Sequence, residues 1–256
     1  MSKVKVERDD QGIVWFEINR PSHRNAIDYD VIASLNETVL EVEKNECDKA
    51  LVITGGGEKA FCSGGDLSVF HQLRSQKEAY GMLSQMGEVL YSLLTLSKPS
   101  LALLNGITVG GGSELATACD YRIAINGVKM GFVQGKLAIT TGWGGATMLF
   151  EKMQYDRALY LLTTADMITA EKAYEMGFVQ KIIHNNNIRK ECKIFLEPII
   201  SQHVHVLQAY KQSLVRKWVT TNVKERIFAE IMQCSNLWEK EAHHQAVAAF
   251  INKKHK

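Results

Sequence analysis

SLALLNGITVGGGSELATACDYRIAI, residues 100–125, joins a short apolar run to a glycine-rich loop, an alanine-rich helical stretch and a second apolar run. Three consecutive glycines, Gly110 to Gly112, stand at the entrance of that helix. Each costs a helix about 1 kcal/mol relative to alanine, so their placement needs a physical reason. Glycine accepts positive φ, and without a Cβ it lets a ligand atom reach the backbone N–H groups at the positive end of the helix dipole. A strand running through such a loop into a helix and on to another strand is the repeating unit of an α/β protein with right-handed crossovers.

The same pattern stands upstream. KALVIT (49–54) reads as a buried strand, GGGEKAFCSGGDL as its glycine-rich loop, and about 77–96 as a helix with Met82, Met86, Val89, Leu90 and Leu93 on one face. Alternation in Lys3 to Arg8 and Gly12 to Asn19 around DDQG predicts a hairpin that Pro21 ends. Val31, Leu35, Val39 and Val42 predict an amphipathic helix from an Asp28 or Asp30 cap to about Lys44. From about Gly144 the chain reads as almost wholly helical. TAEKAYEMG (169–177) runs from a Thr cap to a terminal glycine and leads into one last short strand, FVQKII. Beyond Asn187 come long amphipathic helices broken by Pro198 and by Thr220 to Asn222. No Gly-, Pro- or Ser-rich linker intervenes, so the expected organisation is an α/β core, 1–190, with a packed C-terminal helical region, 191–256.

Composition excludes more than it selects. A net charge of +2 with 46% hydrophobic and 23% charged residues does not favour a nucleic-acid partner. Five cysteines without a CxxC pair suggest reduced thiols in a cytoplasm-like compartment. The stretch MSKVKVERDD has no apolar signal core, and no window approaches the ~18 apolar residues of a membrane span, so a cytoplasmic protein without membrane association is expected. His203 with His205 and His243 with His244 lack a helical zinc-ligand spacing; they are assigned to solvated faces, and no metal is expected. Cys62 has no histidine beside it in sequence to activate it.

A P-loop is excluded by the missing Lys-Ser/Thr pair, and the partial dinucleotide match at Gly55, Gly57 and Ala60 fails at its third position. The two loops ending in SGGD (63–66) and VGGG (109–112) suit a developing oxyanion instead, each offering one backbone N–H worth about 3–4 kcal/mol in a transition state.

AFCSGGDL (60–67), NGITVGGGSELATACDYRIA (105–124), TTGWGGATML (140–149) and ITAEKAYEMGFVQKII (168–183) together resemble the ordered signatures of the crotonase superfamily, the enoyl-CoA hydratase/isomerase family. RPSHRNAI (20–27) and AAFINKK (248–254) are similar to its early loop and C-terminal helix. The resemblance implies a spiral of repeated ββα units with a C-terminal α-helical region. It also implies an oxyanion hole from the N–H groups of Gly65 and Gly111, with Glu114 as a catalytic carboxyl. Arg24, Ala26, Ala60, Ser63, Gly64, Asp66 and Leu67, with Phe250 and Lys253, fall where the family cradles coenzyme A. No permanently bound cofactor is implied, since coenzyme A arrives as part of an acyl-CoA substrate. Homotrimers or dimers of trimers are implied as well, with the C-terminal helices at the subunit interface and Lys253 reaching a neighbouring subunit's ligand.

One departure bears on the reaction. Family hydratases carry a second glutamate where this chain has Gln134, and an amide is neither acid nor base near neutral pH. Decarboxylation of an alkylmalonyl thioester needs only a stabilised enolate and apolar walls, for which Trp143 and Trp238 are candidates. Within the superfamily the spacing from Phe132 to Ala146 and the pair Leu237-Trp238 resemble the ethylmalonyl-CoA decarboxylase type, which has histidine at the position of Gln134. The alternatives are an isomerase or weak hydratase using Glu114 alone, a 3-hydroxyacyl-CoA hydrolase, and a non-catalytic CoA-binding or RNA-binding homologue.

Overall fold

The computed structural model describes residues 2–184 and 187–254, with backbone alone at Ile251, Lys253 and Lys254. A hairpin of β1 (Val4–Arg8) and β2 (Ile13–Ile18) leads through a 3-10 turn at Pro21–His23 into α1 (Tyr29–Lys44), which Asp28 caps by accepting from Val31 N–H at 3.1 Å. Three units follow. The first comprises β3 (Ala50–Gly55), β4 (Ala60–Cys62), the short α2 (Leu67–Phe70) and α3 (Gln76–Thr95), which opens with a Ser75–Glu78 capping box. The second is β5 (Ser100–Leu104), β6 (Ile107–Val109) and α4 (Gly111–Ala118). The third is β7 (Tyr121–Ile125) and β8 (Lys129–Gly131), continued by a 3-10 turn at Val133–Leu137, α5 (Gly145–Lys152) and α6 (Tyr155–Thr164). The chain then forms β9 (Ile168–Thr169), α7 (Ala170–Glu175) and β10 (Lys181–Ile183), and ends in α8 (Ile188–Ile200), α9 (Val204–Thr220), α10 (Val223–Trp238) and α11 (Glu241–Lys254).

Each unit gives one strand to each of two sheets. The larger runs β1-β2-β3-β5-β7-β10, parallel except for the first hairpin; the smaller runs β4-β6-β8-β9, parallel except for its last pair. This is the expected α/β spiral of ββα units. Both faces of the large sheet are covered, so β3 and β5 read as unbroken apolar runs rather than alternating ones. On one face Val14, Phe16, Leu51 and Ile53 meet helices α1, α3, α4 and α10; on the other Trp15, Val52, Leu101 and Leu103 meet Cys192, Leu196 and Ile200 of α8.

Three expectations are corrected. β4 and β6 lie in stretches that local pattern assigns to loops: three residues each are too few to show a period, and only pairing with each other and with β8 makes them strands. Pro198 does not break its helix. α8 continues to Ile200 because Leu196 and Ile200 anchor its last turn in the core, and the break falls just before the His203 cap of α9. His243 is buried, not solvated, because α11 folds back over the Val133–Leu137 turn: its Nδ1–H donates to Leu137 O at 2.7 Å and its ring lies 4.6 Å from that of Trp238. Among the described residues no helix is long and apolar enough to cross a membrane.

Buried Asn105 ties the C-terminal ends of β3 and β5 together. Its Nδ2 donates to Gly55 O and Gly57 O, both at 2.7 Å, and its Oδ1 accepts from Gly55 N at 3.1 Å and Thr54 Oγ1 at 3.2 Å. Asn105→Ala leaves buried backbone groups unpaired, and urea unfolding is expected to show a loss of about 3 kcal/mol.

Candidate active site

The early loop is zipped onto the loop after β4. Ser63 N–H donates to Arg24 O at 3.1 Å, Ile27 N–H to Gly64 O at 2.8 Å and Asp66 N–H to Ile27 O at 2.9 Å. Behind the zipper the Arg20 guanidinium donates to Asp66 Oδ2 at 2.8 Å and to Ala26 O at 2.5 Å, and buried Asn25 donates to Gly56 O at 3.0 Å and Ala60 O at 2.7 Å. Arg24, Ala26, Ala60, Ser63, Gly64 and Asp66 thus come together, with Leu67 opening α2 directly after the Asp66 cap. Arg20 and Asn25, which hold this cluster, carry no signal in one sequence beyond their place in RPSHRNAI.

The three glycines have separate tasks. Gly110 takes φ +57 at the cap of α4. A Cβ on Gly111 would stand 2.1 Å from Cζ3 of Trp143, and one on Gly112 would stand 2.1 Å from Cys62 O of β4. The two glycine loops abut, since a Cβ on Gly64 would lie 3.0 Å from Gly111 N. Trp143 also reaches Gly65, whose added Cβ would be 3.6 Å from its Cζ2 and 3.1 Å from Phe70. Among the described residues the N–H groups of Gly65, Gly111 and Gly112 have no hydrogen-bond acceptor, while those of Gly64, Asp66, Gly110 and Ser113 are paired. At the far end of α4, Lys152 Nζ donates to Thr117, Ala118 and Cys119 O, and Arg122 to Ala116 and Cys119 O. A buried arginine and a half-buried lysine therefore sit on the negative end of the helix whose positive end is Gly111.

Glu114, one turn into α4, is 2% exposed and accepts from four N–H groups. Gln134 Nε2 (2.8 Å) and Gly142 N (3.2 Å) meet its Oε1, and Trp143 N (2.8 Å) and Gly145 N (2.9 Å) meet its Oε2. Burial first and the nearby Glu230 second outweigh those bonds and push its carboxyl up to about 7. Gln134 Oε1 and Trp143 Nε1 are buried without partners. Cys62 is fully buried, and burial pushes its thiol up to about 12, which rules it out as a nucleophile at neutral pH.

The remaining candidates lie elsewhere. Trp238 donates from Nε1 to Leu73 O at 2.8 Å and lines a cavity of about 120 Å³ with Leu67, His71 and Arg74, so its ring packs on His243 while Trp143 alone covers the glycines. Phe250 is exposed on α11, and the side chain of Lys253 lies outside the described residues. Sequence reasoning missed Glu230 of α10: its carboxylate accepts from Thr141 Oγ1, Ala146 N and both donors of Thr147. On an amphipathic helix such a residue looks like any polar position.

A family model described as enoyl-CoA hydratase/isomerase matches residues 8–256. A crotonyl-CoA hydratase of Syntrophomonas wolfei is 33% identical over 200 residues, covering 78% of this chain and 76% of that protein. An ethylmalonyl-CoA decarboxylase of Xenopus laevis is 31% identical over 247 residues, covering 96% and 82%, and a short-chain-enoyl-CoA hydratase of Clostridium acetobutylicum is 29% identical, covering 99% and 96%. The fold matches a solved enoyl-CoA hydratase from Bacillus halodurans with a TM-score of 0.88 at 22% identity, over 97% of this chain and 100% of that one. The chain belongs to the enoyl-CoA hydratase/isomerase family, the crotonase superfamily of enzymes that act on acyl-CoA thioesters.

Proposed function

We propose that the protein decarboxylates an alkylmalonyl-CoA. The thioester carbonyl would lie against the free amides of Gly65 and Gly111, with coenzyme A along the zippered 20–27 and 63–67 loops and toward Phe250 and Lys253 of a homotrimer or dimer of trimers. In that assembly residues 1–190 form the core, and 191–256 pack on it and at the interface. The carbon–carboxylate bond breaks, carbon dioxide leaves, and its electron pair passes into a thioester enolate whose oxygen the two amides stabilise. Glu114 in its acid form then gives a proton to the α-carbon and regains one from water. Trp143 keeps the place dry, which favours loss of a charged carboxylate as a neutral gas.

The observation that carries this choice over hydration is the 2.8 Å bond from Gln134 Nε2 to Glu114 Oε1. An amide stands where a second acid/base group would be needed, and its donor is already spent on the first. When Glu114 takes up a proton, a half-turn of that amide presents the unpartnered Gln134 Oε1 as acceptor. The hydratase relatives favour a second assignment, isomerisation or slow hydration of an enoyl-CoA by Glu114 alone.

Mass spectrometry of products from ethylmalonyl-, methylmalonyl-, crotonyl- and 3-enoyl-CoA separates the two. Loss of carbon dioxide from the first pair is expected, and hydration of crotonyl-CoA at ordinary enzyme rates would overturn the proposal. Glu114→Gln is expected to lower kcat by about 10²- to 10⁴-fold. Because the acid form is the active one, kcat should fall above pH about 7, the midpoint set by the raised Glu114 carboxyl, and approach tenfold per pH unit. Gly111→Ala displaces the Trp143 ring and should cost about 10²-fold or more in kcat, measured beside an unchanged far-UV circular dichroism spectrum.

A further inference from the structure

The chemistry above leaves one enclosed acid unused. Glu230 Oε1 accepts from Thr141 Oγ1 at 2.5 Å and Ala146 N at 3.1 Å; its Oε2 accepts from Thr147 N at 2.7 Å and Thr147 Oγ1 at 2.6 Å. Thr141 Oγ1 in turn accepts from Ala146 N at 3.2 Å. The first amides of α5, which no helix can pair internally, are thus divided between two carboxylates: Gly145 N–H goes to Glu114, Ala146 and Thr147 N–H to Glu230. Gly144, just before them, turns at φ +89, and a Cβ on it would stand 2.7 Å from Cγ2 of Ile227, one helical turn before Glu230 on α10.

We propose that Glu230 is a positioning residue of the active site: with Thr141 and Thr147 it holds the 141–147 segment in the arrangement that lays Trp143 over Gly65 and Gly111 and turns three amides onto Glu114. Burial raises the Glu230 carboxyl as well, against the donors of Thr141, Ala146 and Thr147 that hold it down, and its charge once formed opposes ionisation of Glu114. From α10 the groups facing Glu114 are Glu230 and the Cys234 thiol, and from the Val133–Leu137 turn the neutral Gln134. The neighbouring cations are engaged elsewhere: Lys217 and Arg226 with Glu151, Lys152 with the carbonyls ending α4. Only the kinetic part of this proposal rests on the role given to Glu114 above.

The test is Glu230→Gln, which removes the charge and keeps the shape, beside Thr141→Val, which keeps the charge and removes one tie. In glutamate-¹³C-labelled full-length protein, the Glu114 carboxyl is assigned by its loss in Glu114→Gln, and the Trp143 indole N–H by its loss in Trp143→Phe. Glu230→Gln should lower the Glu114 titration midpoint by roughly one pH unit and shift the Trp143 resonance, with the alkaline limb of kcat moving down in step. Thr141→Val should shift the Trp143 resonance and raise the midpoint rather than lower it, because the three amides that hold the Glu114 carboxyl down are loosened while the Glu230 charge stays. An unchanged midpoint and an unchanged Trp143 resonance in folded Glu230→Gln would overturn the proposal, as would an unmoved Trp143 resonance in Thr141→Val if Glu230→Gln does not fold. Neither resonance requires substrate. Movement of both without decarboxylation of any thioester would therefore uphold the role of Glu230 and sink the decarboxylase assignment.

Discussion

The carboxylate of Glu114, buried beneath the glycine loop and satisfied by four N–H groups, is the constraint on which the site depends. An acid taken out of water must find donors, and here three of them are consecutive or nearly consecutive backbone amides of the segment that opens α5. That segment cannot wrap the carboxylate without bringing Trp143 down on α4. The ring then occupies the space where Gly111 would carry a side chain, and the absence of that Cβ leaves the amide of Gly111 bare.

The same economy appears in the way the two glycine loops meet. Neither β4 nor β6 would persist alone, at three residues each, yet their parallel pairing sets the ends of SGGD and VGGG side by side. Gly112 packs directly on the Cys62 carbonyl, so the entrance of α4 and the exit of β4 touch backbone to backbone. The early loop then closes over the first glycine loop through three main-chain hydrogen bonds, held from behind by Arg20 and Asn25.

Beside the ion pairs of Arg20 with Asp66 and of Lys211 with Asp120, charge in this part of the molecule is ordered along helices. Two cations, Lys152 and Arg122, cover the carbonyl end of α4, and two acids, Glu114 and Glu230, share the amide end of α5. Each placement satisfies groups that a helix terminus leaves unpaired. The repulsion between the two acids is tolerated because each accepts hydrogen bonds from local donors, and burial first, with that repulsion second, raises the carboxyl of Glu114.

By itself the sequence determined the α/β class, the large-sheet strands, α1, α3 and α4, and the glycines at the site, because apolar periodicity, capping residues and glycine runs are local signals. The resemblance to the crotonase superfamily singled out Glu114 and Gln134, which lie 20 residues apart and are joined by a hydrogen bond in the fold. Tertiary structure alone decided the second sheet, the continuation of α8 through Pro198, the burial of His243 and the convergence of Glu230 on α5. Each of these rests on partners far away in the chain: strands of three residues have no period of their own, and a histidine or glutamate on an amphipathic helix shows nothing of what will pack against it. The same holds for Trp143 and Trp238, two tryptophans alike in sequence, of which only the first covers the glycines. That difference is set by the buried carboxylate that draws the Trp143 amide inward.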